Sequence, residues 1–237
     1  MNVARFCQPL WELDTYYVWS DFLTDQLDAD WVDTVTDSGT VLMGDAVGGV
    51  AVLTPSDGTI ADNDEAYLTC PNEVFKYAAN KPIYGACSLQ FTEGNTDDAN
   101  IAFFFMNAAV ANSIIDDGGG LKVSGSTLGI YKVDGETVWR CVSSVNGVSN
   151  VTVSTTTAGG SAYQKLEIIA NERDSSTLTV SYKCDGDYLK DSNGLVIRHT
   201  LAIANATEMM VGTGIKLGAA NGTELLSVDY LYASQRR

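Results

Sequence analysis

From residue 20 onward the chain is a succession of short runs rich in Val, Ile, Thr, Phe and Tyr, each closed by Gly, Asn, Asp or Ser. β-Branched and aromatic side chains fit a pleated sheet, and the small polar residues supply the turns between strands. The runs predict strands at 21–24, 40–44, 49–53, 65–69, 83–91, 100–107, 128–133, 137–144, 148–154, 163–170, 178–184, 195–201, 209–217 and 224–233. Asp134-Gly135, Asn146-Gly147 and Asp185-Gly186 stand where tight hairpins need a backbone able to take positive φ. Leu178, Val180 and Tyr182 alternate with polar residues, the mark of a strand with one wet face. Ile101–Met106 is apolar at every position and predicts a central strand covered on both sides.

About fourteen strands exceed what one twisted sheet holds, so the expected fold is all-β: a two-sheet antiparallel β-sandwich, most simply a jelly roll. The 45% hydrophobic content is enough for its core. The expected organisation is one sandwich domain over 20–237, preceded by an extended N-terminal arm over 1–19. The arm carries Trp11, Tyr16, Tyr17 and Trp19 around the breaker Pro9. So aromatic a segment has to pack on its own domain or on a neighbour. Residues 71–79, opened by Pro71, are the one place where a helical turn or two is expected.

Charge is divided unevenly. Residues 1–120 hold 19 acidic and 3 basic side chains, whereas 121–237 hold 11 of each, so the whole net charge of −16 belongs to the first half. Such a surface repels phosphates, and no nucleic-acid partner is expected. No run approaches the roughly 18 apolar residues of a membrane span. Arg5 has no apolar run behind it, which does not read as a secretory signal. The five cysteines are widely spaced with no CxxC pair, which fits small hydrophobes kept reduced in a cytoplasm better than disulfides or zinc.

Catalytic patterns are missing. The single histidine, His199, lies in an apolar run, and no G-x-S-x-G, phosphate loop or H-E-x-x-H occurs. Oxygen-rich clusters at Asp57/Asp62/Asp64/Glu65, Asp97/Asp98, Asp116/Asp117 and Asp185/Asp187/Asp191/Asn193 leave calcium as the one conceivable ion, though Asp and Asn form turns in their own right. The expectation is no cofactor and no metal.

Four stretches carry a resemblance: DFLTDQLDADW at 21–31, DNDEAYL at 62–68, NIAFFF at 100–105 and LLSVDYLYASQRR at 225–237. Their pattern resembles the concanavalin A-like lectin/glucanase jelly roll over residues 20–237. That resemblance implies first and last strands side by side in one sheet. Its glucanase branch uses E-x-D-x-x-E or E-x-D-x-E on a mid-chain strand, where two carboxylates stand about 5 Å apart for retention. Here the mid-chain strand has no carboxylate, and the nearest run, Asp28-Ala29-Asp30-Trp31-Val32-Asp33, is all Asp and near the start. No enzyme is therefore expected. The same cast resembles virion structural proteins of tailed phages, in particular head decoration (cement) proteins. This implies a capsid-surface protein made in the host cytoplasm, partnered by the major capsid protein and by copies of itself as a homotrimer, with Trp11, Tyr16, Tyr17 and Trp19 as contact residues. The alternative is a lectin-like carbohydrate-binding module of a virion or tail fibre, using Trp31, Tyr131 and Trp139.

Overall fold

A computed structural model describes residues 14–237 except 37, 57, 60, 62–63, 94–97, 117, 160–161 and 219–223. The described residues form two large antiparallel sheets and no α-helix. Sheet A contains β1 (Thr15–Ser20), β3 (Ser38–Gly44), β4 (Val50–Ser56), β6 (Ile83–Thr92), β13 (Gln164–Asp174), β14 (Thr177–Cys184), β15 (Asp187–Tyr188), β16 (Arg198–Ala202) and β18 (Leu225–Arg236). Sheet B contains β2 (Val32–Thr36), β5 (Glu65–Thr69), β7 (Ala99–Met106), β10 (Thr127–Lys132), β11 (Val138–Val145), β12 (Val148–Thr157) and β17 (Met210–Leu217). A small hairpin, β8 (Ile114–Ile115) with β9 (Gly120–Leu121), lies apart.

Sheet A runs β15-β14-β13-β6-β18-β4-β3, and sheet B runs β12-β11-β10-β7-β17-β5-β2. The inward residues of both sheets interleave as one core, including Leu53, Phe103, Phe105, Trp139 and Tyr182. Gly85 makes room for sheet B to pack closely, because a Cβ there would lie 2.5 Å from the Phe105 ring. Two of the three expected tight hairpins are present, whereas Asp134-Gly135 turns within a longer connection between Lys132 and Val138, where only Gly135 takes a positive φ, 74°. Asn146-Gly147 and Asp185-Gly186 place both residues at positive φ (49° and 82°; 53° and 88°), matching the twist of the hairpins they close.

Three expectations are corrected. The boundary between an arm and a sandwich, placed after residue 19, falls inside β1, which pairs antiparallel with β18 from Thr15↔Arg236 to Ser20↔Leu231. The expected neighbourhood of first and last strands is real, but β1 takes the place given to 21–24. Phe22 instead turns inward at φ 52°, its N–H bonded to Ser20 Oγ at 3.1 Å, and packs on Trp31 at 5.9 Å between ring centroids. Residues 71–79 form no helix. Phe75 exchanges both backbone hydrogen bonds with Met209 (2.9 and 2.7 Å) and packs on Phe105 and Tyr16, so burying its ring selects an extended backbone. Trp11 and Cys7 lie outside the described residues. Cys70, Cys87, Cys141 and Cys184 are buried and free.

His199, on β16, ties the two sheets together. Ser143 Oγ (2.8 Å) and the Tyr182 hydroxyl (3.1 Å) face its Nδ1, and Thr152 Oγ1 (3.0 Å) faces its Nε2. All of these partners are hydroxyls, so no carboxylate makes it a catalytic base. Burial lowers its pKa from 6.5 to about 4. Between those values the unfolded chain binds a proton that the folded chain refuses. Stability is thus unaffected above pH 6.5, falls as pH drops towards 4, and is lowered by up to about 3 kcal/mol below that. Urea midpoints at pH 7 and 4.5 should show a larger drop in the wild type than in His199→Gln.

Candidate functional site

Strand β7 decides what the outer face of sheet B can do. Its outward residues are Ala102, Phe104 and Met106, and no carboxylate occurs along it. Residues 107–116 and 118–126, including the β8–β9 hairpin, lie over them as a strap and bury Ala109, Ile114 and Leu121 in a second apolar cluster with Tyr67, Tyr131 and Val142. Gly129 clears the space beneath, where a Cβ would sit 2.3 Å from Leu121 Cδ1.

Lys216 of β17 anchors the strap from below. Its buried ammonium donates to Asn112 Oδ1 at 2.5 Å, to the Ile114 carbonyl at 3.2 Å and to the Asp116 carboxylate. Glu65 Oε2 lies 3.7 Å away. The Glu65 carboxylate accepts the Tyr67 hydroxyl at 2.5 Å and the Asn112 N–H at 2.7 Å, and the Tyr67 oxygen accepts the Ile114 N–H at 2.9 Å. Burial first, and the Glu65 charge second, raise the Tyr67 pKa, so Tyr67 remains a donor. Every ion in this knot has a partner, the condition under which charge is tolerated inside a protein.

The aromatics expected to stack on a glycan are not available for it. Trp31 and Trp139 belong to the core between the sheets, and Tyr131 lies under the strap. Strand alternation turns Trp139 inward and Tyr131 under cover, while Trp31, just before β2, is buried against Phe22. Tyr16 also faces inward. Its hydroxyl is 2.5 Å from both the Val74 carbonyl and Gln235 Oε1, and burial, then the Glu208 charge, raise its pKa to about 12. Tyr16 is therefore an internal clasp, not a contact residue.

Tyr17 and Trp19 point outward, and the outer face of sheet A brings them to residues that sequence reasoning missed. Trp19 stands opposite Tyr232 across β1 and β18, while Tyr84 of β6 stands opposite Ser234. Tyr17 and Tyr232 stack at 6.5 Å with planes 15° apart, and Tyr84 tilts onto Tyr232 at 5.9 Å. Tyr230 completes the strip, in which Trp19 is 51% exposed. Two shallow depressions of about 400 Å³ each meet at Tyr84. One is lined by Trp19, Asp21, Lys165, Tyr230 and Tyr232, and the other by Pro82, Ile169, Asn171 and Arg236.

Polar groups fix this strip. Glu167 accepts the Tyr84 hydroxyl at 2.6 Å and pairs with Lys165 at 3.1 Å. Burial would raise its pKa, but those hydrogen bonds and the nearby Lys165 and Lys183 charges outweigh that and hold the carboxyl below its usual range. Burial, then the neighbouring Cys87, Glu167 and Asp229, raise Tyr230 to about 12. Tyr230 therefore presents a neutral phenol at physiological pH.

Among the described residues no three His, Cys, Asp or Glu side chains are arranged to hold a metal ion. Asp57, Asp62, Asp97 and Asp117 lie outside them. Asp116 is tied to Lys216, Asp185 accepts the Lys165 N–H at 2.8 Å, and Asp191 accepts the N–H groups of Asn193 and Leu195 at 2.9 Å each. The last two act as turn formers.

No family model matches the sequence, and no curated protein matches it. Solved structures do. An endo-1,3-beta-glucanase from Streptomyces sioyaensis superposes with a TM-score of 0.60 at 14% identity, covering 97% of this chain and 98% of its own. Lectin I from Ulex europaeus, in complex with the methyl glycoside of alpha-L-fucose, gives 0.59 at 14% identity over 94% and 98%. The carbohydrate recognition domain of Emp47p gives 0.55 at 11% identity over 92% and 94%. The chain has a concanavalin A-like jelly-roll fold. At these identities the likeness concerns the fold, and both lectins and a glucanase share it.

The Lys216 knot makes a quantitative expectation. Lys216→Met strands the buried Glu65 charge and should cost about 3–5 kcal/mol, whereas adding Glu65→Gln should recover much of the loss. Urea unfolding of the two variants beside the wild type checks this.

Proposed function

We propose that the protein is a non-enzymatic structural module of a virus particle, a decoration protein that binds the head shell through the aromatic face of sheet A. The observation that carries this reading is the contrast between the two outer faces. Sheet B is sealed over a carboxylate-free β7, while sheet A exposes Tyr17 and Trp19 beside Tyr84, Tyr230 and Tyr232. Large, stiff aromatic side chains that are half-exposed and flanked by polar groups are the residues that dominate protein interfaces. The resemblance of the opening, central and closing runs to head decoration proteins supplies the partner, the major capsid protein, and the location, the capsid surface. Repetition around a symmetric shell multiplies a modest contact.

A lectin-like reading rests on the same strip. Asp21 and Lys165 flank exposed rings in a shallow groove, and lectins share the fold. Sugar stacking would then use Trp19 and Tyr232 in place of Trp31, Tyr131 and Trp139.

Density-gradient separation of a native lysate, with immunodetection across the fractions, tests the proposal. The protein should travel with DNA-filled heads after tails are removed, and Trp19→Ala should weaken rebinding to stripped heads by about 30-fold or more, the scale of an interface hot spot. Migration with tails or as free protein, joined to a signal on a glycan array that Trp19→Ala abolishes, would replace shell binding with glycan binding.

A further inference from the structure

We propose that β12 is the seam of a homodimer: the free edge of sheet B pairs antiparallel with the same strand of a second copy, about a two-fold axis at Val151. This goes beyond shell binding and uses a different surface. Strand β12 is the last strand of sheet B, and among the described residues its only ladder partner is β11. The two-residue Asn146-Gly147 turn closes on Val145↔Val148. Alternation along an antiparallel ladder then turns the N–H and C=O groups of Ser149, Val151 and Val153 to the open side. Further along, the Thr155 N–H donates to the Lys190 carbonyl at 2.9 Å, so the open segment is 148–153.

Edges of this kind are normally guarded by lysine, proline or a bulge. Residues 148–153 read VSNVTV, without Lys or Pro, and the register shift against β11 begins only beyond Val153. Val148, Val151 and Val153 are exposed, Val151 at 49%. Without a partner, this is an apolar strand edge left open to water.

Charge selects the occupant. The chain carries −16, so two copies repel each other over most of their surfaces. No charged side chain occurs between Arg140 and Lys165, so β12 itself carries none of the negative charge that keeps copies apart and offers no carboxylate to a basic partner. Pairing about Val151 sets Val151 against Val151 of the second copy and Ser149 against Val153, an uncharged, self-complementary match. An isologous contact closes at two copies and leaves no further edge to extend. The expected state is a dimer, in place of the trimer the phage resemblance implies.

Sedimentation velocity of the full chain, with melting curves to confirm folding, tests the seam. The wild type and Trp19→Ala should both sediment with the mass of two chains, as should the conservative Val151→Thr. Val151→Lys places two ammonium groups side by side on the axis and should sediment as one chain. Val153→Lys serves the same purpose should Val151→Lys not fold. A wild type that sediments as one or three chains, lysine variants that stay dimeric, or a dimer lost only in Trp19→Ala would each overturn the proposal. None of these results depends on which particle or glycan the aromatic face binds.

Discussion

A strand that is apolar on both sides must be covered on both sides, and β7 imposes that condition on the rest of the molecule. Its inward residues, Phe103 and Phe105, meet sheet A in the central core. Its outward residues, Phe104 and Met106, would leave a large wet apolar patch if the sandwich stopped at two layers. The strap formed by 107–116 and 118–126 supplies a third layer, and covering β7 closes the outer face of sheet B at its centre. Exposed aromatic area is then concentrated on the opposite sheet. The chemistry each face can offer follows from which rings the core needs.

The strap is also placed by charge. Apolar contacts hold a segment down without fixing its register, because hydrophobic attraction has no direction. Lys216 and Glu65 add direction. One ammonium reaches three acceptors on the strap, at Asn112, Ile114 and Asp116, while Glu65 and Tyr67 receive the N–H groups of Asn112 and Ile114. Sliding the strap by one residue would leave buried charges without partners. The knot therefore specifies a position more than it adds stability, since desolvating its ions offsets much of their attraction.

The sandwich was legible in the sequence because strands and tight turns are written locally, in alternation and in Asn-Gly or Asp-Gly pairs. The run 65–69 was expected with the bounds β5 has. What was not legible depends on which strands become neighbours. The aromatic face gathers Tyr17 and Trp19 from β1, Tyr84 from β6 and Tyr230 and Tyr232 from β18, which are distant in the chain. No spacing rule joins them. One signal was available: TYYVWS alternates, so Tyr16 and Val18 belong to one side and Tyr17 and Trp19 to the other. Reading that segment as an irregular arm hid a strand. Trp31 and Trp139 misled for the converse reason, because nothing local distinguishes an inward tryptophan from an outward one.

Face and edge have a geometric consequence when taken together. In an antiparallel sheet continued across a dyad, the axis stands perpendicular to the sheet, so both copies turn the same face the same way. A dimer joined at β12 would thus present two copies of the Trp19–Tyr232 strip to one side, with the sealed faces of sheet B on the other. Two modest aromatic contacts held at a fixed spacing bind a repeating surface far more tightly than either alone, provided its repeat matches that spacing. A shell lattice has such a repeat, and so does a densely displayed glycan, whereas an isolated soluble partner has none. Such a dimer would favour a repeating surface as the target whichever chemistry that surface carries.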